Sequence, residues 1–198
     1  MDDKPEFYGQ RLRDAHALAI GKIVMAWNEY QEKLGEIYAE LHGHERWRSS
    51  LVEWHAVKND AQQRSMLVEI ARATLPPESR ALAAITWMVQ KTDDLLREQR
   101  NIGVHMPLMS FTSEDGNHQM LPLTHLGNPK ASVMVGRDLL KDYASFENRI
   151  RKMLGYSFAI GHNVSPVRVD DEVAELPNAP TAASRGVDGQ APNLPTKC

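Results

Sequence analysis

Residues 78–105 read ESRALAAITWMVQKTDDLLREQRNIGVH, and the spacing within this stretch decides the fold. Leu82, Ile85, Val89, Thr92 and Leu96 recur at steps of three and four, the period that gathers side chains on one face of an α-helix at about 100° per residue. The pattern predicts a helix over residues 78 to about 103, with one apolar stripe to bury against neighbours. Position 100 falls near the centre of that stripe, which sets the guanidinium of Arg100 on the packed side. A cation there is costly unless it is paired, reaches solvent at a bundle end or meets a partner subunit.

The same period extends to both sides. Ile20, Ile23, Val24, Trp27, Leu34, Ile37, Tyr38 and Leu41 predict a long helix beginning near Phe7 and stopped at Gly43. Trp47, Leu51 and Trp54 suggest a shorter helix with both tryptophans in the core. Met66, Leu67, Ile70 and Ala71 mark a third, with Asn59 or Asp60 as its N-cap and Pro76-Pro77 as its terminator. Leu139, Leu140, Tyr143, Phe146, Ile150 and Met153 predict a last helix from about residue 135 to 160. After Met106-Pro107 the period changes to that of strands, and two short runs flank Glu114-Asp115-Gly116-Asn117, a hairpin over about 107–125 with an Asp-Gly turn. From Asn163 the chain turns rich in Pro, Ala, Ser and Gly, too poor in apolar side chains to offset the entropy of ordering. The expected architecture is all-α: an up-down bundle of four to five helices over residues 1–162, with a small β-hairpin insertion and a disordered C-terminal tail over 163–198.

Composition narrows the function classes. The chain has 198 residues, 42% hydrophobic and 25% charged, which suits one domain with an ordinary core. Its single cysteine, Cys198, excludes intrachain disulfides and a thiolate zinc cage. No apolar run approaches the ~20 residues needed to span a bilayer, and the first residues lack the apolar centre of a secretory signal. A cytoplasmic location away from membranes is expected. A formal net charge of −3 gives no general attraction to nucleic acid, so any RNA contact must come from a local basic patch. Arg46, Arg48, Arg149, Arg151 and Lys152 are available for such a rim; scattered surface cations are the plainer account.

The chemistry lies at the end of the opening helix, in Arg100-Asn101-Ile102-Gly103-Val104-His105. A guanidinium offers a planar fork of donors matched to phosphate oxygens. An imidazole can take or give a proton near neutrality, and the Asn101 amide can orient either the histidine or a substrate. Glu98 is available as an auxiliary acid or orienting group, or simply as part of a solvated helix face. Spacing alone is cheap: Arg11 with His16 and Arg48 with His55 repeat it, but Leu12 and Ser49 follow those arginines where Asn101 follows Arg100.

With an Arg, a following polar residue and a His after four to six intervening positions in a helical chain, the sequence resembles the HEPN superfamily through Arg100, Asn101 and His105. The resemblance implies a metal-independent endoribonuclease with no cofactor, a toxin or antiviral-defence effector that works on RNA as a homodimer, with an antitoxin or defence protein as a further partner. Some members of that superfamily have lost catalysis, so a non-catalytic interaction or RNA-binding protein is the alternative. An ion pair of Arg100 with Asp93, Asp94 or Glu98 is the structural alternative for the arginine itself. His42, His44 and His55 have no carboxylate or thiolate spacing to complete a metal set, and no metal is expected. Residues five apart on a helix differ by about 140°, so Arg100 and His105 are expected not to meet within one continuous helix. Either Gly103 unwinds the helix, or a two-fold dimer builds a composite site from two copies; the dimer is the expectation.

Overall fold

The axis of the molecule is α1, Pro5–Leu41, a 37-residue helix. Its buried face runs through Ile23, Ala26, Trp27, Tyr30, Leu34 and Ile37, steps of three, one and four that keep one stripe inward over four turns. The structure, a computed structural model, describes residues 5–124 and 129–164. Gly43, at φ 86°, takes the left-handed conformation that L side chains avoid and ends the helical path. A short 3₁₀ turn at His44–Arg46 leads into α2, Trp47–Ala56. Next comes α3, Asp60–Thr74, whose N-cap Asn59 accepts hydrogen bonds from the Ala61 and Gln62 amides.

The stretch quoted at the outset forms one rod in three parts: α4, Arg80–Lys91, a π-helical turn at Thr92–Leu96, and α5, Arg97–His105. The Ser79 hydroxyl accepts from the Leu82 amide at 3.2 Å and starts the rod two residues later than the apolar period predicts. The π turn is the substantive departure. A wider turn rotates every later residue relative to an ideal helix, so the buried positions after it are Leu96, Gln99, Ile102 and Gly103, and Arg100 is half-buried at the flank rather than central.

Two tertiary contacts hold that turn. The Tyr30 hydroxyl lies 2.7 Å from Thr92 Oγ1, which itself donates to the Met88 carbonyl at 2.8 Å, so the tyrosine proton goes to the threonine. The fully buried Arg64 of α3 donates from Nε and Nη2 to Asp93 Oδ1, at 3.1 and 2.5 Å. The turn is thus fastened to α1 on one side and α3 on the other.

After the rod, β1 (Leu108–Thr112) pairs antiparallel with β2 (His118–Pro122), from Leu108 opposite Pro122 to Thr112 opposite His118. Gly116, at φ 78°, supplies the left-handed turn residue, as the Asp-Gly reading expects. A single turn of helix, α6 at Pro129–Ser132, precedes α7, Leu139–Val164. The last helix starts later than expected because Gly136 takes φ 75° and Asp138 caps, accepting from the Lys141 amide at 3.1 Å. It runs past the expected end, through Val164; apart from residues 163 and 164, the disordered tail expected over 163–198 lies outside the described residues.

Five long helical stretches therefore make an all-α bundle with a small hairpin. The helix α1 packs along α7 and also meets α2, α3 and α5, while α4 lies on α3 and α7. Tyr143, Phe146, Ile150, Met153 and Ile160 of α7 close the core. One core assignment is corrected: Trp54 is buried, but Trp47, in the first turn of α2, is 40% exposed. No helix among the described residues is long and apolar enough to cross a membrane.

Candidate functional site

Arg100 sits one turn before the end of α5, with its guanidinium carbon 5.8 Å from the centre of the Trp27 ring. Its Nη1 donates to Asn101 Oδ1 at 3.0 Å and lies 3.4 Å from Nε2 of His105, the last residue of the helix. The three motif residues are therefore brought together within one chain. This overturns the expectation that their 140° offset keeps Arg100 and His105 apart. That reasoning followed Cα directions alone, whereas an arginine side chain is long enough to wrap round the final turn. Gly103 does not unwind the helix either. The helix is continuous through it, and a Cβ there would stand 2.9 Å from Ile23 Cδ1, so this glycine lets α5 approach α1 closely.

The ion pair with Asp93, Asp94 or Glu98, the structural alternative for Arg100, is not formed. Asp93 belongs to Arg64. Among the described residues no carboxylate pairs with Arg100, and its Nε is buried without a hydrogen-bond partner. Glu98, expected as an auxiliary, is exposed and faces another groove, of about 380 Å³, shared with Ile102, Val133, Phe146 and Arg149. The structure does not bring it to the motif.

Arg100 instead lines a polar cleft of about 250 Å³. One wall is α1, through Trp27, Gln31 and Glu32; the other is the end of α2 and the start of α3, through Trp54, His55, Asp60 and Gln63. The walls are fixed by their own hydrogen bonds. Trp27 Nε1 donates to Asp60 Oδ2 at 3.0 Å, and buried Gln63 donates to the Trp54 carbonyl at 2.8 Å, tying α3 to α2. His55 Nε2 stands 3.4 Å from Glu32 Oε1, both about half exposed at the rim. Gln31 lines the same space. It lies one turn beyond Trp27 on the buried stripe of α1, a polar residue at a core-facing spacing, and that placement is the signal by which the sequence marks it.

The remaining sequence candidates resolve into local roles. His42 stacks edge-on against Tyr38 with ring centres 4.7 Å apart, and burial pushes its pKa below the ordinary imidazole value. His55 is on the cleft wall, and among the described residues no three His, Cys, Asp or Glu side chains form a set fit for a metal. Arg46 pairs with Glu53 at 3.2 Å and Arg151 with Glu147 at 2.7 Å, so two of the proposed basic rim residues are neutralised locally, on opposite ends of the chain. Comparison with family models, with curated proteins and with solved structures finds no match to this chain.

Proposed function

We propose that the protein is a metal-independent endoribonuclease of the kind the Arg100, Asn101 and His105 motif resembles, working as a toxin or antiviral-defence effector. The observation that carries this reading is a guanidinium without a carboxylate partner among the described residues, 3.4 Å from an imidazole and open to a polar cleft. A cation so placed favours an external anion, and a phosphodiester is an anion matched to its donor fork.

In this scheme Arg100 holds the non-bridging oxygens of the scissile phosphate and offsets the charge that grows on them. The 2′-oxygen of the preceding ribose attacks phosphorus, and the bond from phosphorus to the 5′-oxygen breaks. The 2′-hydroxyl proton goes to a base, and an acid gives a proton to the departing 5′-oxygen, leaving a 2′,3′-cyclic phosphate and a 5′-hydroxyl. His105 performs one of these transfers. A homodimer supplies a second His105 for the other, which keeps the dimer in the proposal even though one chain unites the motif. Asn101, bonded to Nη1, holds the guanidinium in place.

The test uses purified full-length protein, end-labelled RNA and a metal chelator. Wild type is expected to cut and to leave 5′-hydroxyl ends, while Arg100→Ala and His105→Ala do not. Equal residual cleavage in all three would sink the nuclease reading and leave the alternative, a helical protein that binds RNA or a partner without cutting. Arrest of growth on expression, relieved by either substitution, is expected alongside.

A further inference from the structure

The cleft beside Arg100 holds a group that the cleavage chemistry does not use. Gln31 lines it, and both its Oε1 and its Nε2 are buried with no hydrogen-bond partner among the described residues. An unpaired buried polar group is destabilising, so a side-chain amide left this way on a cleft wall is a standing preference for a ligand that offers both an acceptor and a donor. Arg100 Nε, on the same cleft, is buried and unpaired as well. The volume of about 250 Å³ lies below the range of pockets for drug-sized molecules, about 300–1,000 Å³, and suits one small planar group. Trp27 and Trp54 line it, both almost wholly buried, and Glu32 and Asp60 add acceptors.

We infer that this cleft receives a single nucleobase of the bound RNA, read by the Gln31 amide, while Arg100 holds the adjoining phosphate. The inference takes from the nuclease reading that the ligand is RNA. A glutamine amide presents one donor and one acceptor in a plane, the arrangement that meets the paired donor and acceptor on a base edge. Two carboxylates on the walls favour bases that carry an exocyclic amine. Adenine, cytosine and guanine have one; uracil has none, and its two carbonyls would face Glu32 or Asp60. The cleft therefore selects the amine-bearing bases over uracil, and cleavage falls beside them.

Binding of adenosine, cytidine, guanosine and uridine 5′-monophosphates to the full-length protein, measured by calorimetry, tests this without requiring catalysis. At least one amine-bearing nucleotide is expected to bind about tenfold more tightly than the uridine nucleotide. Gln31→Leu is expected to narrow that difference, because the base edge is no longer held against the two carboxylates, and Arg100→Ala to weaken all binding nucleotides alike. Gln31→Glu, equal in size, replaces the amide donor with a carboxylate, which suits the paired N–H groups of guanine and not the acceptor-and-amine edge of adenine or cytosine; it should shift preference toward the guanosine nucleotide and decides the matter if the leucine variant does not fold. Uridine binding as tightly as the rest, absence of nucleotide binding, or preferences of unaltered size in a folded Gln31 variant overturns the inference. RNA cleavage without base-dependent binding removes this inference alone, whereas base-dependent binding without cleavage supports it and removes the nuclease reading alone.

Discussion

Arg64 and Arg100 approach the same indole from different helices, each with its guanidinium carbon 5.8 Å from the Trp27 ring, and they do opposite things. Arg64 is fully buried and donates twice to Asp93, so its charge is spent inside the protein, fastening α3 to the π turn of the central rod. Arg100 is half-buried, has an amide and an imidazole but no carboxylate as polar partners among the described residues, and opens on a cleft. Burial and a carboxylate make a structural cation; partial exposure and a missing carboxylate leave one available to an outside anion.

The largest expected effect strikes the structural member. Arg64→Ala leaves Asp93 unpaired and opens space against Trp27, and breaking a buried pair in this way costs about 3–5 kcal/mol. Because the Asp93 side chain is 38% exposed, the lower end of that range is expected, read as a fall in the urea midpoint. A midpoint equal to that of wild type would erase the distinction between the two arginines. Next comes Gly35→Ala. A Cβ there would meet the rigid Trp54 ring at 2.8 Å, and crowding a packed core of this kind costs about 1–3 kcal/mol. Since Trp54 is a wall of the Arg100 cleft, RNA cleavage should fall at temperatures where the variant is still folded; full activity would detach the cleft from function. The smallest effect is expected from Tyr30→Phe, which removes one buried neutral hydrogen bond to Thr92, about 0.5–1.5 kcal/mol. The hydroxyl lost bonds to the π turn that Arg64 fastens, while the ring that packs edge-on against Trp27 is kept, so denaturant midpoint should move and cleavage rate should not.

Much of the bundle was legible in the sequence because each helix has an apolar stripe, and a stripe is a statement about packing. Gly43 and Gly116 also announced their turns through the one residue type that takes positive φ easily. The π turn was not legible. Its residues, Thr92 to Leu96, keep an ordinary helical pattern, and the cause lies elsewhere in the chain, in Tyr30 and Arg64. Trp47 misled because α2 is short and its first turn projects beyond the core that Trp54 reaches.

At the site, the residue types of Arg100, Asn101 and His105 were legible, and their contact was not. A face-by-face argument treats side chains as short spokes, which fails for arginine at a helix end. The alternative partner set for Arg100 fails for a different reason: Asp93 is turned toward α3 by the same π turn that moves Arg100 to the flank. Gln31 went unnoticed in the polar run of Asn28, Glu29, Gln31 and Glu32, where only its register with Trp27 sets it apart.

The central claim is that Arg100 serves a bound phosphate and not the scaffold. It is tested most directly by measuring, on the same preparations, the melting temperature and the rate of RNA cleavage in chelator for wild type and Arg100→Ala. The account predicts cleavage slower by about 100–1,000-fold with stability lowered by no more than about 1 kcal/mol, the size of the lost contact with Trp27. Cleavage at the wild-type rate, or cleavage lost only where the variant no longer unfolds cooperatively, would contradict it.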